Sequence, residues 1–371
     1  MYYFDHSATT PLLPEVSELI NNINREIYGN PSSVYSLGRK SRSIIENARN
    51  QVANSISAKP EQIIFTSGGT ESNNHILWSF LKSNRNHVIS NKIEHPAILK
   101  VLHFLNQYGL KHDLVGVLSD GIVSVEEIEK AILPETSLIS LMLANNEIGT
   151  LQPVKEVVEI AKKNSVLVHT DAVQCLGKID VNVLDLGVDF LSLSAHKFYG
   201  PKGIGVLYVK DPKQLSSLII GGGQERGLRA GTESISAIAG MGLAAEYCVK
   251  SLNKKRELLL KLENQLKSGI NKFYKEAIYN GNQSKKLPGL TNISFPKNQS
   301  AIMMAKLDRD GIAISNGPAC GSGDVKPSPV LSEIGLDNQT NLASLRFSFG
   351  STNTEKEVDF LLNKLELNLV K

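Results

Sequence analysis

Cysteine is scarce in this 371-residue chain, which has three, at Cys175, Cys248 and Cys320. They are too few and too scattered for a disulfide framework or a repeated C-x-x-C pattern, so a reducing cytoplasm is the expected compartment and no metal site is expected. An excess of one charge is also lacking. Lys and Arg total 40 against 37 Asp and Glu, a formal +3, which argues against direct nucleic-acid binding and in favour of small polar or anionic substrates. No run approaches the ~18 uncharged apolar residues of a membrane helix, and Met-Tyr-Tyr-Phe-Asp-His at the start lacks a basic segment followed by an apolar one. The expectation is a soluble, untargeted protein without membrane contact. Internal repeats and low-complexity tracts are likewise not visible.

What is present is enough apolar material, 41% of residues, for one large core or two unequal domains. From residue 63 to about 209, short β-branched runs alternate with amphipathic stretches, the pattern of β-α units around a mostly parallel sheet. Strands are expected at 63–66, 88–90, 137–143, 166–169, 190–194 and 204–209. Helices are expected at 71–82, 97–108 and 154–163, the last with Pro153 near its start, where a missing N–H costs little. The fold class is α/β. After Gly221-Gly222-Gly223 the composition changes, and a charged helical pattern over 246–275 leads into a different strand rhythm. A large domain over 14–247 is expected, with 1–13 and 248–371 forming a smaller α+β domain.

Ligands of open α/β sheets bind at the carboxyl ends of strands, so the polar groups just beyond the expected strands carry the chemistry. Ser67-Gly68-Gly69-Thr70-Glu71-Ser72 runs from a strand into a helix and offers backbone N–H groups and a positive dipole end to a phosphate. Read alone, it is better taken as an ordinary Gly-rich turn with Thr70 as a cap. Asp171 could hold the protonated nitrogen of a pyridine ring and keep that ring an electron sink, or simply cap the segment after His169. Lys197, in Ser194-Ala195-His196-Lys197, is placed to become a desolvated nucleophile toward an aldehyde, although most lysines are only solvated charges. The order of the three gives them joint weight: anion-binding turn, strand-end Asp, strand-end Lys.

In that order and company the sequence resembles the cysteine desulfurases of the class V aminotransferase family, within the pyridoxal 5′-phosphate (PLP) enzymes of fold type I. The resemblance runs nearly end to end. It includes Asp5-His6-Ser7-Ala8-Thr9-Thr10, Gly29-Asn30-Pro31-Ser32-Ser33, Ser67-Gly68-Gly69-Thr70-Glu71-Ser72-Asn73-Asn74 and Glu94-His95. It continues through Asn145-Asn146-Glu147-Ile148-Gly149, His169-Thr170-Asp171-Ala172-Val173-Gln174, Ser194-Ala195-His196-Lys197, Gly227-Leu228-Arg229-Ala230-Gly231-Thr232 and Arg346-Phe347-Ser348.

The resemblance implies that Lys197 carries the cofactor, Asp171 pairs with its pyridine nitrogen, and His95 stacks on the ring and moves protons. Asn146 and Gln174 would address the ring oxygen. Gly69, Thr70, Ser194 and His196 would hold the phosphate, with Thr232 supplied by the other subunit of a homodimer. Asn30 and Arg346 would meet the carboxylate of L-cysteine. Cys320, in Ser315-Asn316-Gly317-Pro318-Ala319-Cys320-Gly321-Ser322-Gly323-Asp324, would take the sulfur as a persulfide and pass it to an acceptor, such as an iron–sulfur scaffold protein or the machinery of tRNA thiolation. Asn316, Pro318 and Gly321 depart from the family's run around this cysteine. A selenocysteine lyase or another class V aminotransferase would share Lys197 and Asp171, and Cys320 separates these readings. Cys175 and Cys248 are expected to be small buried hydrophobes.

Overall fold

The computed structural model describes residues 1–81, 83–317 and 326–369. Among these, β1 (Tyr2–Tyr3) lies parallel to a distant short strand, β11 (Ile312–Ala313). The main sheet holds β2 (Ile63–Thr66), β3 (His87–Asn91), β4 (Lys111–Val115), β5 (Thr136–Ser140), β6 (Leu167–Asp171), β7 (Phe190–Ser194) and β8 (Gly205–Val209). Their order is β2-β8-β7-β6-β5-β3-β4. Strands β3 to β7 run in parallel, while β8 is antiparallel to both β7 and β2. That single reversal makes β2 parallel to β7. The carboxyl ends of β2, β6 and β7, at Thr66, Asp171 and Ser194, therefore lie along one edge.

Both faces of this sheet are covered, which is why its central strands read as short apolar runs with little polar alternation. One face packs Ile45, Val52, Val157, Ile238 and Ala245, from the helices Ser36–Ser55, Val154–Lys163 and Ile235–Lys250. The other packs Ile76, Leu77, Ile98 and Leu102, from Gly69–Phe80 and Pro96–Asn106. A second sheet, antiparallel in the order β12-β10-β9, is built from β9 (Ile278–Asn280), β10 (Leu290–Ser294) and β12 (Ser344–Ser348). Its core, with Ile293, Leu345 and Phe347, includes Leu259 and Leu266 from the helix Leu252–Phe273 and Leu361 from Glu355–Asn368. Phe4 belongs to this cluster, so the start of the chain is tied to its end. Among the described residues no helix is long and apolar enough to cross a membrane.

The expected strands at 63–66 and 190–194 and the helix at 154–163 coincide with observed elements. Three differences have physical causes. Strand β4 has the edge composition Lys-His-Asp-Leu-Val, whose charges hide a strand that is paired on one side only. The stretch 137–143 leaves regular pairing after Ser140, although Leu141 and Leu143 still donate to His169 O and Asp171 O at 3.0 and 2.9 Å. The helical pattern over 246–275 is divided between two helices, which meet at Ser251.

A buried ion pair fastens the glycine-rich segment after residue 220 to this framework. Arg49, almost fully buried, donates from Nη1 and Nη2 to Glu225 Oε2 and Oε1 at 2.8 and 2.7 Å. Glu225 Oε2 also accepts from Phe65 N on β2 at 2.9 Å. Glu225 and Arg226 hold positive φ angles of 46° and 59°, a conformation that needs such anchoring. Arg49→Met, which strands a buried carboxylate, is expected to cost about 3–5 kcal/mol in urea unfolding, whereas Arg49→Met with Glu225→Gln should recover much of the loss.

Candidate active site

The loop after β2 reverses into the helix Gly69–Phe80, whose first turn has no capping side chain. Its free N–H groups and dipole end form an anion cradle. At Gly69 a Cβ would lie 2.7 Å from Val173 Cγ2, so glycine is required where this turn presses on the segment after β6.

Asp171, the last residue of β6, is buried and held in place from two sides. Asn73 Nδ2 donates to its Oδ2 at 2.7 Å, and Val173 N donates to its Oδ1 at 3.0 Å. Asn73 is one helical turn beyond Gly69 and almost fully buried; the spacing of four was the signal that could have assigned it this role.

Lys197 follows β7 in a short 3₁₀ turn, Ala195–Lys197. Its Nζ donates to Ser7 O at 2.6 Å and to Ala8 O at 2.7 Å. The N-terminal segment is thus part of the site. It is pinned beyond the lysine by Thr10 N and Thr10 Oγ1, which donate to His196 O at 2.8 and 2.9 Å. Burial above all, then the charges of Lys197 and Lys202, pulls the His196 imidazole down to about 4.

His95 caps the helix Pro96–Asn106 by accepting from Ala97 N at Nδ1, 3.1 Å. Burial lowers its pKa below the ordinary imidazole range, partly opposed by Asp171. A neutral His95 with Nδ1 occupied carries its proton on Nε2. The neighbouring Glu94 is buried and accepts at Oε1 from Asn91 Nδ2 at 2.7 Å and from Met142 N. Burial, and then the charge of Asp171, pushes its carboxyl well above the usual carboxylate range.

Arg346, on β12, reaches the same place from the second sheet. Its Nη2 donates to Asp5 Oδ1 at 2.7 Å and its Nη1 to Asn146 O at 2.9 Å. The Asp5 partnership was not expected from the sequence.

Gly69, Thr70, His95, Asn146, Asp171, Gln174, Ser194, His196, Lys197 and Arg346 all line one cavity of about 260 Å³. Asn73, Ser7 and Ala8 line it too. Asn30 and Thr232 do not; both are exposed, and Asn30 Oδ1 accepts from Ser32 N at 2.9 Å. Cys320 lies outside the described residues.

An amine for an aldehyde, a carboxylate for a pyridine nitrogen and an uncapped helix start for a phosphate, converging at one sheet edge, fit pyridoxal 5′-phosphate and define a fold type I enzyme of that cofactor. The chain belongs to the class-V aminotransferase family, which matches residues 2–361. It is 44% identical over 368 residues to a cysteine desulfurase IscS of Clostridium botulinum, covering 98% of this chain and 93% of that one. A solved NifS-like protein superimposes with a TM-score of 0.93 at 38% identity, covering 99% of this chain and 98% of that one. A second solved structure, SspA in complex with cysteine, gives 0.84 at 33% identity, covering 94% and 99%.

Gly69→Ala is expected to weaken retention of the cofactor about tenfold, through ~1.4 kcal/mol of overpacking against Val173. Adding Val173→Ala should restore it. Visible absorbance after dialysis measures both.

Proposed function

We propose that this chain is a cysteine desulfurase, converting L-cysteine to L-alanine and transferring the sulfur to Cys320 as a persulfide. The observation that carries the reading is the convergence of Lys197, Asp171 and Arg346 on one cavity in a chain whose relatives bear that name. When bound, the cofactor supplies an electron sink for charge developed at the substrate Cα.

The residues divide the remaining work. Asp171, fixed by Asn73 and Val173 N, is oriented to keep the proton on a pyridine nitrogen. Arg346 presents a guanidinium to the substrate carboxylate. Asp5 and Asn146 O fix the plane of that guanidinium, while its Nε–H is buried with no acceptor among the described residues. Lys197 would hold the cofactor through Nζ, and the same amine, within reach of Ser7 O and Ala8 O, would be placed to move the Cα proton. His95 closes the cavity beside Pro96 as a neutral ring.

For the sulfur step, the Cys320 thiolate attacks the substrate sulfur. The S–S bond forms as the Cβ–S bond breaks, and a proton returned to the carbon skeleton completes alanine. Cys175 and Cys248 are poor alternatives: both are buried free thiols, and burial raises both pKa values, so they stay protonated.

As parts of the same reading, we assign 14–247 to a cofactor domain and 1–13 with 248–371 to a smaller domain, supported by the shared cluster of Phe4 with Leu345 and Leu361. We assign a homodimer in which the exposed Thr232 completes the partner's phosphate cradle, a cytoplasmic setting in keeping with unpaired Cys175 and Cys248, and delivery to a sulfur-acceptor protein.

Single turnover with cysteine tests the reading. Alanine should form with a mass gain of one sulfur on Cys320, and borohydride should fix the cofactor to Lys197. Cys320→Ala should lower sulfide release by roughly a hundredfold or more while keeping the visible chromophore. Undiminished release would instead favour a selenocysteine lyase or another aminotransferase of the family.

A further inference from the structure

Directly behind the cavity lies a lysine that the proposed reaction does not use. Lys178 is 5% exposed, in the turn that follows β6. Among the described residues no carboxylate pairs with it, and its Nζ donates to Gln174 Oε1 at 3.0 Å. Gln174 Nε2 in turn donates to Ser7 O at 2.9 Å, the same carbonyl oxygen that receives Lys197 Nζ at 2.6 Å. A short polar chain thus links the two lysines: Lys178, the Gln174 amide, Ser7 O, Lys197.

The direction of that chain is fixed at both ends, by Lys178 and by Ser7 O. An ammonium has only donors, so the Gln174 amide must turn its oxygen toward it. The N–H₂ end is then the one that faces Ser7 O, and Gln174 and Ser7 both line the cavity. Ser7 O, a carbonyl that can only accept, requires the same orientation from the other side, so the amide is held at both ends.

The arrangement is costly, which argues against a purely structural role. Lys178 faces the cations Lys255, Lys197 and Arg346, the Cys175 thiol beside it, and His6 nearby. Lys255 is itself buried, its Nζ 4.2 Å from the centre of the Tyr199 ring. Burial first, and then these cations, draw Lys178 down from the usual 10.5 to about 7. A methionine would fill the same space without that penalty.

We propose that Lys178 is a positioning residue that locks the Gln174 amide with its N–H toward the cofactor's ring oxygen and, through this donor and its own charge, favours loss of the proton from the nitrogen joining Lys197 to the cofactor. The inference rests on the pyridoxal-phosphate reading above. Its physical basis is that a donor at the ring oxygen and a nearby cation both disfavour the protonated, positively charged nitrogen.

The test is a pH titration of the visible chromophore in the loaded enzyme. Lys178→Met is expected to raise the titration midpoint by about one pH unit. In a Gln174→Ala background the same substitution should move it clearly less, since the two act as a unit.

Thermal unfolding supplies a readout independent of the cofactor. The cost of the Lys178 ammonium is absent above pH 10.5, grows as pH falls toward 7 and is complete below it. Apo Lys178→Met should therefore melt higher than the apo parent, by a margin that widens over that range. If Lys178→Met does not load cofactor, Lys178→Gln carries the same expectation for the midpoint. An unmoved midpoint in a folded, loaded variant, or a full shift that persists without Gln174, would overturn the proposal. Absence of any chromophore in the parent enzyme would count against the pyridoxal-phosphate reading, not against Lys178.

Discussion

Lys197 Nζ is received by two main-chain carbonyls of the N-terminal segment, Ser7 O and Ala8 O, and the placement of this segment governs much of the site. A partly buried amine needs acceptors for its protons, and these main-chain carbonyls supply two. The carbonyls can serve only because residues 2–10 are tied at several points. Tyr2 and Tyr3 pair with Ile312 and Ala313, Ser348 N donates to Phe4 O at 2.7 Å, and His6 N donates to Ser348 O at 3.2 Å. At the far end Tyr199 N donates to Thr10 Oγ1 at 2.7 Å. Both sheets therefore determine where the lysine points, and Asp5, in the same segment, sets the plane of Arg346.

Charge around the cavity is distributed unevenly. Burial disfavours the charged form of Glu94, while Asp171 and Asp5 stand among Lys197, Lys178, Lys255 and Arg346. Behind Asp171 lies an uncharged ladder across three strands. His169 Nδ1 meets Ser140 Oγ at 2.9 Å and its Nε2 meets Ser192 Oγ at 3.0 Å, and burial holds this histidine at about 4. The ladder satisfies polar groups inside the sheet without adding a charge to compete with Asp171. A cationic surplus in a confined space suits ligands that bring a phosphate and a carboxylate.

The sequence made legible those features that depend on local pattern. Phe190–Ser194 is a short apolar run, and Lys197 comes directly after it; the Gly68-Gly69 turn is announced by its own composition. Features that depend on distant residues were hidden. Asp5 is separated from Arg346 by most of the chain, and only the pairing of the N-terminal segment with β12 brings them together. Lys178 read as one lysine among many until its depth and its single amide partner were visible. Strand β4 was concealed by the charges that protect an edge, and the break at Ser251 interrupts a helical pattern without proline or glycine.

The reversed strand β8 explains the glycines better than turn chemistry alone. It lies between β2 and β7, so β2 is three positions from β6, about 14 Å at the usual strand spacing. Yet the helix that begins at Gly69 touches Val173, just after β6. The chain leaving Thr66 must therefore cross back over the start of β8 and the end of β7 at close range. A Cβ on Gly205, the first residue of β8, would lie 2.6 Å from Gly68 Cα, and one on Gly69 would lie 3.6 Å from Ser194 Cβ. Gly205 and Gly69 are thus two sides of one crossing. It carries the anion cradle from the edge of the sheet to its centre, where Asp171 and Lys197 already stand.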